Sequence, residues 1–240
     1  MKLELVIPSS TDEIPLKHYQ AFMKVSEGSN DDEFIAQKMI ELFCGIELKS
    51  VVNIKMTDVA KLVDHFTHMF SQKPEFKPRF KIKDVEFGFI PDLENISFGE
   101  YIDLDNNLGD IQKLHKAMAV MYRPITKRMK DKYDIEEYKG TINYSEVMQY
   151  APLSVALGAM VFFYRLKDEL LTATLSYLEK ELKEMTTTSS RKKRNSASNG
   201  DGISRSTQLL KETLQDLSKL PEMDYLKALP TLHLRSKSKI

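Results

Sequence analysis

Two histidines one helical turn apart, His65 and His68, are the residues of this chain best suited to binding a metal ion. They follow Asp64 on a predicted helix, so their side chains share one face. A zinc site needs three or four such ligands, and the sequence has neither an HEXXH motif nor a CXXC pair. We therefore expect a surface or half-buried histidine pair and no metal site.

Other chemistry has equally little support from the residues. The single cysteine, Cys44, lies in the apolar stretch MIELFCGI with no adjoining cation, which predicts a buried thiol rather than a nucleophile. The glycines form no phosphate-binding motif, and no serine sits in a GXSXG elbow. The sequence predicts no catalytic residue, no cofactor and no internal disulfide, and hence a protein that is not an enzyme.

An acidic stretch, ISFGEYIDLDNNLGD, superficially suggests a calcium loop through Asp103, Asp105 and Asp110. It lacks the DXDXDG spacing and the acidic twelfth position of such a loop. A helix with capping residues is the better interpretation.

The basic run Arg191, Lys192, Lys193, Arg194 is the candidate for contacts with phosphates. From residue 186 to 240 there are eleven Lys and Arg against five Asp and Glu, a net charge of +6. Such charge favours anionic partners, but the run has no interleaved aromatic residue to stack on bases. We expect either a solvated linker or a weak, non-specific contact with nucleic acid.

The longest apolar run, Ala156 to Tyr164, is about half as long as a bilayer span requires. It predicts a buried core helix and no stable membrane insertion. The N-terminal MKLELVI is too short and too charged for a secretory signal, so we expect a soluble, cytoplasmic-type chain.

The elements that must position these residues are mostly helices. Apolar residues at helical spacing predict helices within 14–25, 32–43, 59–71, 97–106, 110–122 and 144–150, and a long helix over 152–183. Alternation predicts a strand at 2–7 and a hairpin near 79–90 around Lys83 and Asp84. The expected class is α+β and mainly α, a helical domain with a small antiparallel sheet.

Three regions follow from composition. Residues 1–185 form the predicted helical domain. Residues 186–206, low in complexity and almost without apolar side chains, predict a flexible, disordered basic linker. Residues 207–240 contain an amphipathic helix and a tail. The leucines of that helix form one stripe, which either docks on a partner or folds back on the domain: Leu209, Leu210, Leu214, Leu217 and Leu220.

Several segments between residues 10 and 180 together resemble an uncharacterised structural or assembly protein family of tailed bacteriophages, of the crAss-like phage type. They are VEFGFIPDLENISFGEYIDLDNNLGD, LHKAMAVMYRPI, KYDIEEYKGT and PLSVALGAMVFFYRL. The most specific marks are Tyr122 to Pro124, Glu137 to Gly140 and Pro152 to Ala159. None has an assigned chemical role, so the resemblance implies no functional residue.

The resemblance implies a non-enzymatic virion structural protein, packaged cargo or assembly protein that contacts portal, tail or capsid proteins. It places the chain in the virion, or in the host cytoplasm during assembly, and leaves a homo-oligomer open. The alternatives are a transient tail assembly chaperone and a nucleic-acid-binding protein that uses the basic linker.

Overall fold

The protein, seen here in a computed structural model, is described over residues 5–130 and 132–192. The contacts of the described residues divide them into two units, which meet between residues 161 and 162. The described residues are mainly helical with one small sheet, which confirms the expected α+β class. The elements in chain order are α1 (Leu16–Gly28), α2 (Asp32–Cys44), α3 (Leu48–Val51), α4 (Met56–Ser71), β1 (Arg79–Ile82), β2 (Val85–Phe89), α5 (Phe98–Leu108), α6 (Leu114–Met121), β3 (Tyr122–Met129), β4 (Lys132–Ile135), α7 (Ile142–Met148) and α8 (Leu153–Lys192).

Local signals place the ends of α2. The side chain of Asp31 accepts hydrogen bonds from the backbone N–H groups of Glu33 and Phe34, which otherwise lack a partner in the first turn. Gly45 ends the helix in the left-handed conformation at φ 65°, where a side chain would be strained. An aspartate before the apolar pattern of 32–43 and a glycine after it are local sequence signals for these two helix ends.

The sheet is antiparallel, with the strands in the order β1-β2-β3-β4. The expected hairpin near 79–90 is confirmed as β1 and β2, with Lys83 at φ 52° in its turn. The predicted N-terminal strand is not part of the sheet: residues 5–7 form no strand, and residues 1–4 lie outside the described part. The remaining strands come instead from residues 122–135, where a helix end and a loop were expected.

A close contact within the sheet explains why residue 88 is a glycine. A Cβ atom on Gly88 of β2 would lie 2.4 Å from Cε2 of Tyr133 on β4. The Tyr133 ring therefore lies against the glycine backbone, and its hydroxyl donates to the carbonyl oxygens of Phe89 at 3.0 Å and Pro78 at 3.2 Å. This side chain connects β4 to the first hairpin across β3.

Aromatic side chains form the core between α1, α2 and α4. The ring of Phe43 lies 5.2 Å from that of Phe22 and 5.4 Å from those of Phe66 and Phe70, in tilted and edge-to-face arrangements. Such pairs add about 0.5–1.5 kcal/mol each beyond the burial of apolar area. Most residues of α6 and of the first turns of α8 are also buried.

Backbone groups at the starts of α1 and α8 form hydrogen bonds with each other. The N–H of Leu16 donates to the carbonyl of Ala151 at 2.9 Å, and the N–H of Leu153 donates to the carbonyl of Ile14 at 2.8 Å. Pro15 and Pro152 precede the two helices and pair as an antiparallel bridge. Because a proline side chain cannot cap a helix, these reciprocal bonds replace side-chain caps.

The first turns of α8 are packed as the apolar run predicts. Residues 155–161 are buried, and a Cβ atom on Gly158 would lie 2.2 Å from the carbonyl oxygen of Glu75. Among the described residues, no helix has a stretch both long and apolar enough to cross a bilayer.

The far end of α8 differs from the expectation. The helix continues to Lys192, seven residues into the predicted linker 186–206, and residues 193–206 lie outside the described part. Extending an existing helix adds one hydrogen bond for each residue fixed, so serine and threonine propensities alone do not end it at residue 185.

Candidate functional site

Helix α5 buries two polar side chains on its inward face and exposes three large apolar side chains on its outward face. Its inward face carries Glu100, which is 6% exposed, together with the buried Leu104 and Asn107. Its outward face carries Phe98, Tyr101 and Ile102, which are 78%, 56% and 39% exposed. The spacing i, i+3, i+4 places these three side chains on one stripe. We call Phe98, Tyr101 and Ile102 the α5 stripe.

A capping box fixes the start of α5. The backbone N–H of Ser97 donates to Oε2 of Glu100 at 2.7 Å, and the N–H of Glu100 donates to Oγ of Ser97 at 3.3 Å. The two residues thereby satisfy two donors that the first turn leaves without helical partners. The α5 stripe begins immediately after this cap, so its first residue sits on a well-defined turn.

A buried ion pair holds α5 on the sheet. Nη2 of Arg123, on β3, lies 2.7 Å from Oε1 of Glu100, and the two side chains are each 8% exposed. Burial alone would raise the pKa of Glu100, but hydrogen bonds from Ser97 and the charge of Arg123 outweigh it, so the pKa is lowered. Glu100 is therefore held as a carboxylate that serves both the cap and the pair.

The rest of the Arg123 guanidinium faces an aromatic ring. Its Nε and Nη1 atoms are buried without a hydrogen-bond partner, and Cζ lies 5.5 Å from the centre of the Tyr138 ring. The Tyr138 hydroxyl donates to the carboxylate of Asp103 on α5. Burial, reinforced by that carboxylate, raises the pKa of Tyr138. A cation–π contact thus takes the place of two hydrogen bonds, and the loop 136–140 is attached to α5.

A second cluster brings together a carboxylate, an ammonium group and a hydroxyl. Nζ of Lys77 lies 2.5 Å from Oδ1 of Asp12 and 3.2 Å from Oγ of Ser154, whose hydroxyl donates to Asp12. Lys77 and Ser154 also line a cleft of about 260 Å³, between the loop 72–77 and the first turns of α8. These groups are the types found in hydrolytic serine–lysine sites.

The geometry of this cluster favours a structural role. The Ser154 hydroxyl is directed at the carboxylate of Asp12, beside the N-terminus of α8, where negative charge is stabilised by the helix dipole. Burial alone would raise the pKa of Asp12, but hydrogen bonds from Lys77 and Ser154 outweigh it and lower the pKa. The chain's own carboxylate already occupies the place that an anionic ligand would take.

The first histidine of the predicted pair contacts the protein backbone. Nε2 of His65 lies 2.8 Å from the carbonyl oxygen of Pro8, so it contacts backbone rather than further ligands. Within the residues described, no cluster of three or more histidine, cysteine or acidic side chains could hold a metal ion. Cys44 is buried as predicted, and burial raises the pKa of its thiol to about 11.

The residues predicted to bind partners lie mostly beyond the described part. The five leucines of the stripe 209–220 are outside it, as are Lys193 and Arg194. Arg191 and Lys192 belong to the last turn of α8. Docking by the leucines and phosphate contacts by the basic run stay predictions.

Sequence reasoning missed the α5 stripe because its spacing is that of an ordinary core face. Only the position of Arg123, a residue on another element, shows that Glu100 faces inwards. A signal was nevertheless present. Residues 84–112 contain eight Asp and Glu and no Lys, Arg or His, and such an unbalanced stretch marks a surface with a strongly negative field.

The chain was compared with protein-family models, with curated proteins and with solved structures. None of the three comparisons found a match.

Proposed function

We propose that this protein is not an enzyme and acts by binding other proteins through the α5 stripe. The observation that carries the proposal is the exposure of Phe98, Tyr101 and Ile102 on a helix whose inward face is held by the buried ion pair of Glu100. Burying a large apolar side chain is worth about 1.5–3 kcal/mol, so a partner that covers all three gains substantially.

The contacts that hold α5 in place make it suitable for binding a partner protein. Its first turn is fixed by the capping box at Ser97, and its inward face is tied to β3 through Arg123 and to the loop 136–140 through Tyr138. A stripe held in this way loses little conformational freedom on binding, which favours affinity. Aromatic residues such as Phe98 and Tyr101 are also good anchors because they bury large areas with few rotatable bonds.

The biological form of the proposal rests on the sequence resemblance. We propose a virion structural or assembly protein of a tailed bacteriophage, with portal, tail or capsid proteins as its partners. Its place is then the virion or the host cytoplasm during assembly. The segments that carry the resemblance include α5 itself, since Ile96 to Asp110 falls within them.

The test is affinity capture of the tagged full-length protein from infected cells, followed by mass spectrometry. A variant with Phe98→Asp and Ile102→Asp should lose the structural proteins that the wild type captures. Met56→Asp is the matched control, because Met56 is also an exposed apolar residue near a helix start. Equal capture by the stripe variant and the wild type would exclude the α5 stripe as the contact surface.

Proteomics of purified particles distinguishes a protein of the virion from a transient assembly protein. A virion component or packaged cargo gives abundant peptides in particles. A transient tail assembly chaperone is captured from infected cells but is missing from particles.

Nucleic-acid binding is the second candidate, favoured by the four consecutive cations of the basic run 191–194. Phosphate contacts release counterions, so the affinity for DNA should fall steeply with added salt. Replacing all four residues with glutamine should abolish binding. Binding that is insensitive to salt, or unchanged in that variant, would exclude this mode.

A further inference from the structure

Carboxylates flank the α5 stripe on both sides in the sequence. Asp105 lies on the same outward face, one turn beyond Tyr101 and Ile102, while Asp92 and Glu94 precede the helix. All three are exposed, and none of them forms an ion pair with another described residue. An apolar stripe thus lies next to carboxylates that form no ion pair within the described part of the chain.

The neighbouring loop does not change the sign of this charge. The loop 136–140, which contacts α5 through Tyr138, contributes the exposed carboxylates Glu136 and Glu137 and the cation Lys139. The paired acidic residues of the stretch, such as Glu100 with Arg123 and Glu86 with Arg128, are already neutralised by partners on β3. The charge that remains around the stripe is negative.

We propose that the α5 stripe binds a cationic amphipathic helix of a partner protein. This inference rests on the proposed function and names the chemistry of its partner. The apolar face of such a helix would cover Phe98, Tyr101 and Ile102, and its flanking Lys and Arg side chains would meet Asp92, Glu94 and Asp105. Opposite charges at the rim speed association and fix the register, while the apolar contacts supply most of the affinity.

The negative charge around the α5 stripe argues against other binding partners for it. Two copies of this chain that paired α5 with α5 would bring the same carboxylates together, and like charges in such a symmetric interface are unfavourable. An anionic membrane surface and nucleic acid are repelled for the same reason. A cationic protein surface with an apolar stripe is the complement that the residues specify.

The test measures the binding of two synthetic 18-residue peptides to the full-length protein by fluorescence anisotropy. One peptide has leucine at helical spacing with lysine elsewhere, and the other has the same leucines with glutamate in place of lysine. We expect the lysine peptide alone to bind, with an affinity that falls as salt rises. Phe98→Asp with Ile102→Asp should weaken it by about tenfold or more, as expected for the loss of central apolar anchors.

Two further variants separate the contribution of charge to peptide binding from that of apolar contact. Glu94→Lys with Asp105→Lys should also weaken the lysine peptide and should flatten its salt dependence. Met56→Asp should change neither quantity. Circular dichroism should show the wild-type fold in every variant, because all the replaced side chains are exposed or half-buried and Phe98→Asp places an acid in the first turn of a helix, where it is favourable.

Three results would overturn this proposal. The first is tight binding of the glutamate peptide, or of the lysine peptide to the stripe variant. The second is a concentration-dependent dimer in sedimentation that Phe98→Asp abolishes, which would make a second copy the occupant. The third is a tenfold gain for the lysine peptide after deletion of residues 186–240, which would make that basic segment the occupant. If the peptides fail but the stripe variant still loses its partners in infected cells, the proposed function stands and only the partner's chemistry is wrong.

Discussion

The carboxylate of Glu100 takes part in several interactions at once. It caps α5 through Ser97 and neutralises Arg123 on β3, and it occupies the inward face where a leucine is usual. A buried pair of this kind adds little net stability compared with apolar residues, because both charges must leave water. It does fix which face of the helix turns inwards, and that orientation exposes Phe98, Tyr101 and Ile102.

Replacing Glu100 with glutamine should change how stability depends on pH. The folded pKa of Glu100 is lowered, so its contribution is present above the unfolded value of about 4.3 and is lost as pH falls through the folded value. At pH 7, Glu100→Gln should destabilise the protein by about 3 kcal/mol, because Arg123 is left buried without a counterion. Urea unfolding at pH 7 and pH 3 measures both effects.

The difference between the wild type and Glu100→Gln should therefore shrink at pH 3. Glu94→Gln, which changes an exposed carboxylate outside the pair, should leave the curve of stability against pH close to that of the wild type. Parallel curves for the wild type and Glu100→Gln would contradict this account.

Single residues near one another in sequence were predictable, whereas their distant partners were not. Asp31 and Gly45 act on the ends of their own helix, so the local pattern was enough to identify them. The pair of Glu100 with Arg123 depends on α5 packing beside β3, which no local pattern encodes. The candidate site was missed for that reason.

At the scale of elements, two glycines mark where helices and strands pack closest. Gly158 lets α8 approach the backbone of Glu75, and Gly88 lets the Tyr133 ring lie on the sheet. A glycine in the apolar run 156–164 is compatible with close helix packing, but its partner at Glu75, like Tyr133 for Gly88, is too distant in sequence for a local pattern to identify. The hairpin of β3 and β4 was hidden because its exposed residues, Thr126 to Met129, are mostly polar and do not alternate with apolar ones.

Gly158→Ala should destabilise the protein by about 1–3 kcal/mol. The new methyl group would lie 2.2 Å from a backbone oxygen, so either α8 or the loop 72–78 must move. Thermal unfolding measures the change. Gly28→Ala is the matched control, because a Cβ atom there meets nothing within 4 Å, and it should be neutral or slightly stabilising. Equal melting temperatures for Gly158→Ala and the wild type would show that the approach is looser than the structure has it.

A double-mutant cycle on Gly88 and Tyr133 tests how β4 is attached. Gly88→Ala alone should destabilise the protein, because its methyl group meets the Tyr133 ring. With Tyr133→Ala already in place, the same change should cost at least about 1 kcal/mol less, since contacting residues couple by about 0.5–3 kcal/mol. Chemical denaturation of the four proteins gives the coupling. Additive effects would mean that the ring does not lie over the glycine in solution.

At the scale of the whole molecule, the sequence predicts that an amphipathic helix within residues 207–240 either docks on a partner or folds back on the domain. The leucines at 209, 210, 214, 217 and 220 form an apolar stripe, within a segment from residue 186 onwards whose net charge is +6. A helix with these properties is suited to a groove on a partner.

Deleting residues 207–240 should weaken the association with the partners captured from infected cells. Leu214→Asp with Leu217→Asp in the full chain should have the same effect, with a loss of about tenfold, because charge on an apolar stripe opposes burial. Gln215→Asp, on the opposite face of the predicted helix, is the control and should bind as the wild type does. Unchanged association in the deletion would refute the docking role.

The reciprocal backbone bonds between residues 14–16 and 151–153 have a consequence for synthesis on the ribosome. The N–H of Leu16 cannot find its carbonyl until residue 151 has left the exit tunnel, so α1 emerges long before the start of its own helix is satisfied. Contacts so distant along the chain close late and slow folding. A nascent chain halted before residue 150 should leave the N–H of Leu16 without its partner and the start of α1 incomplete, and should be the form that chaperones hold.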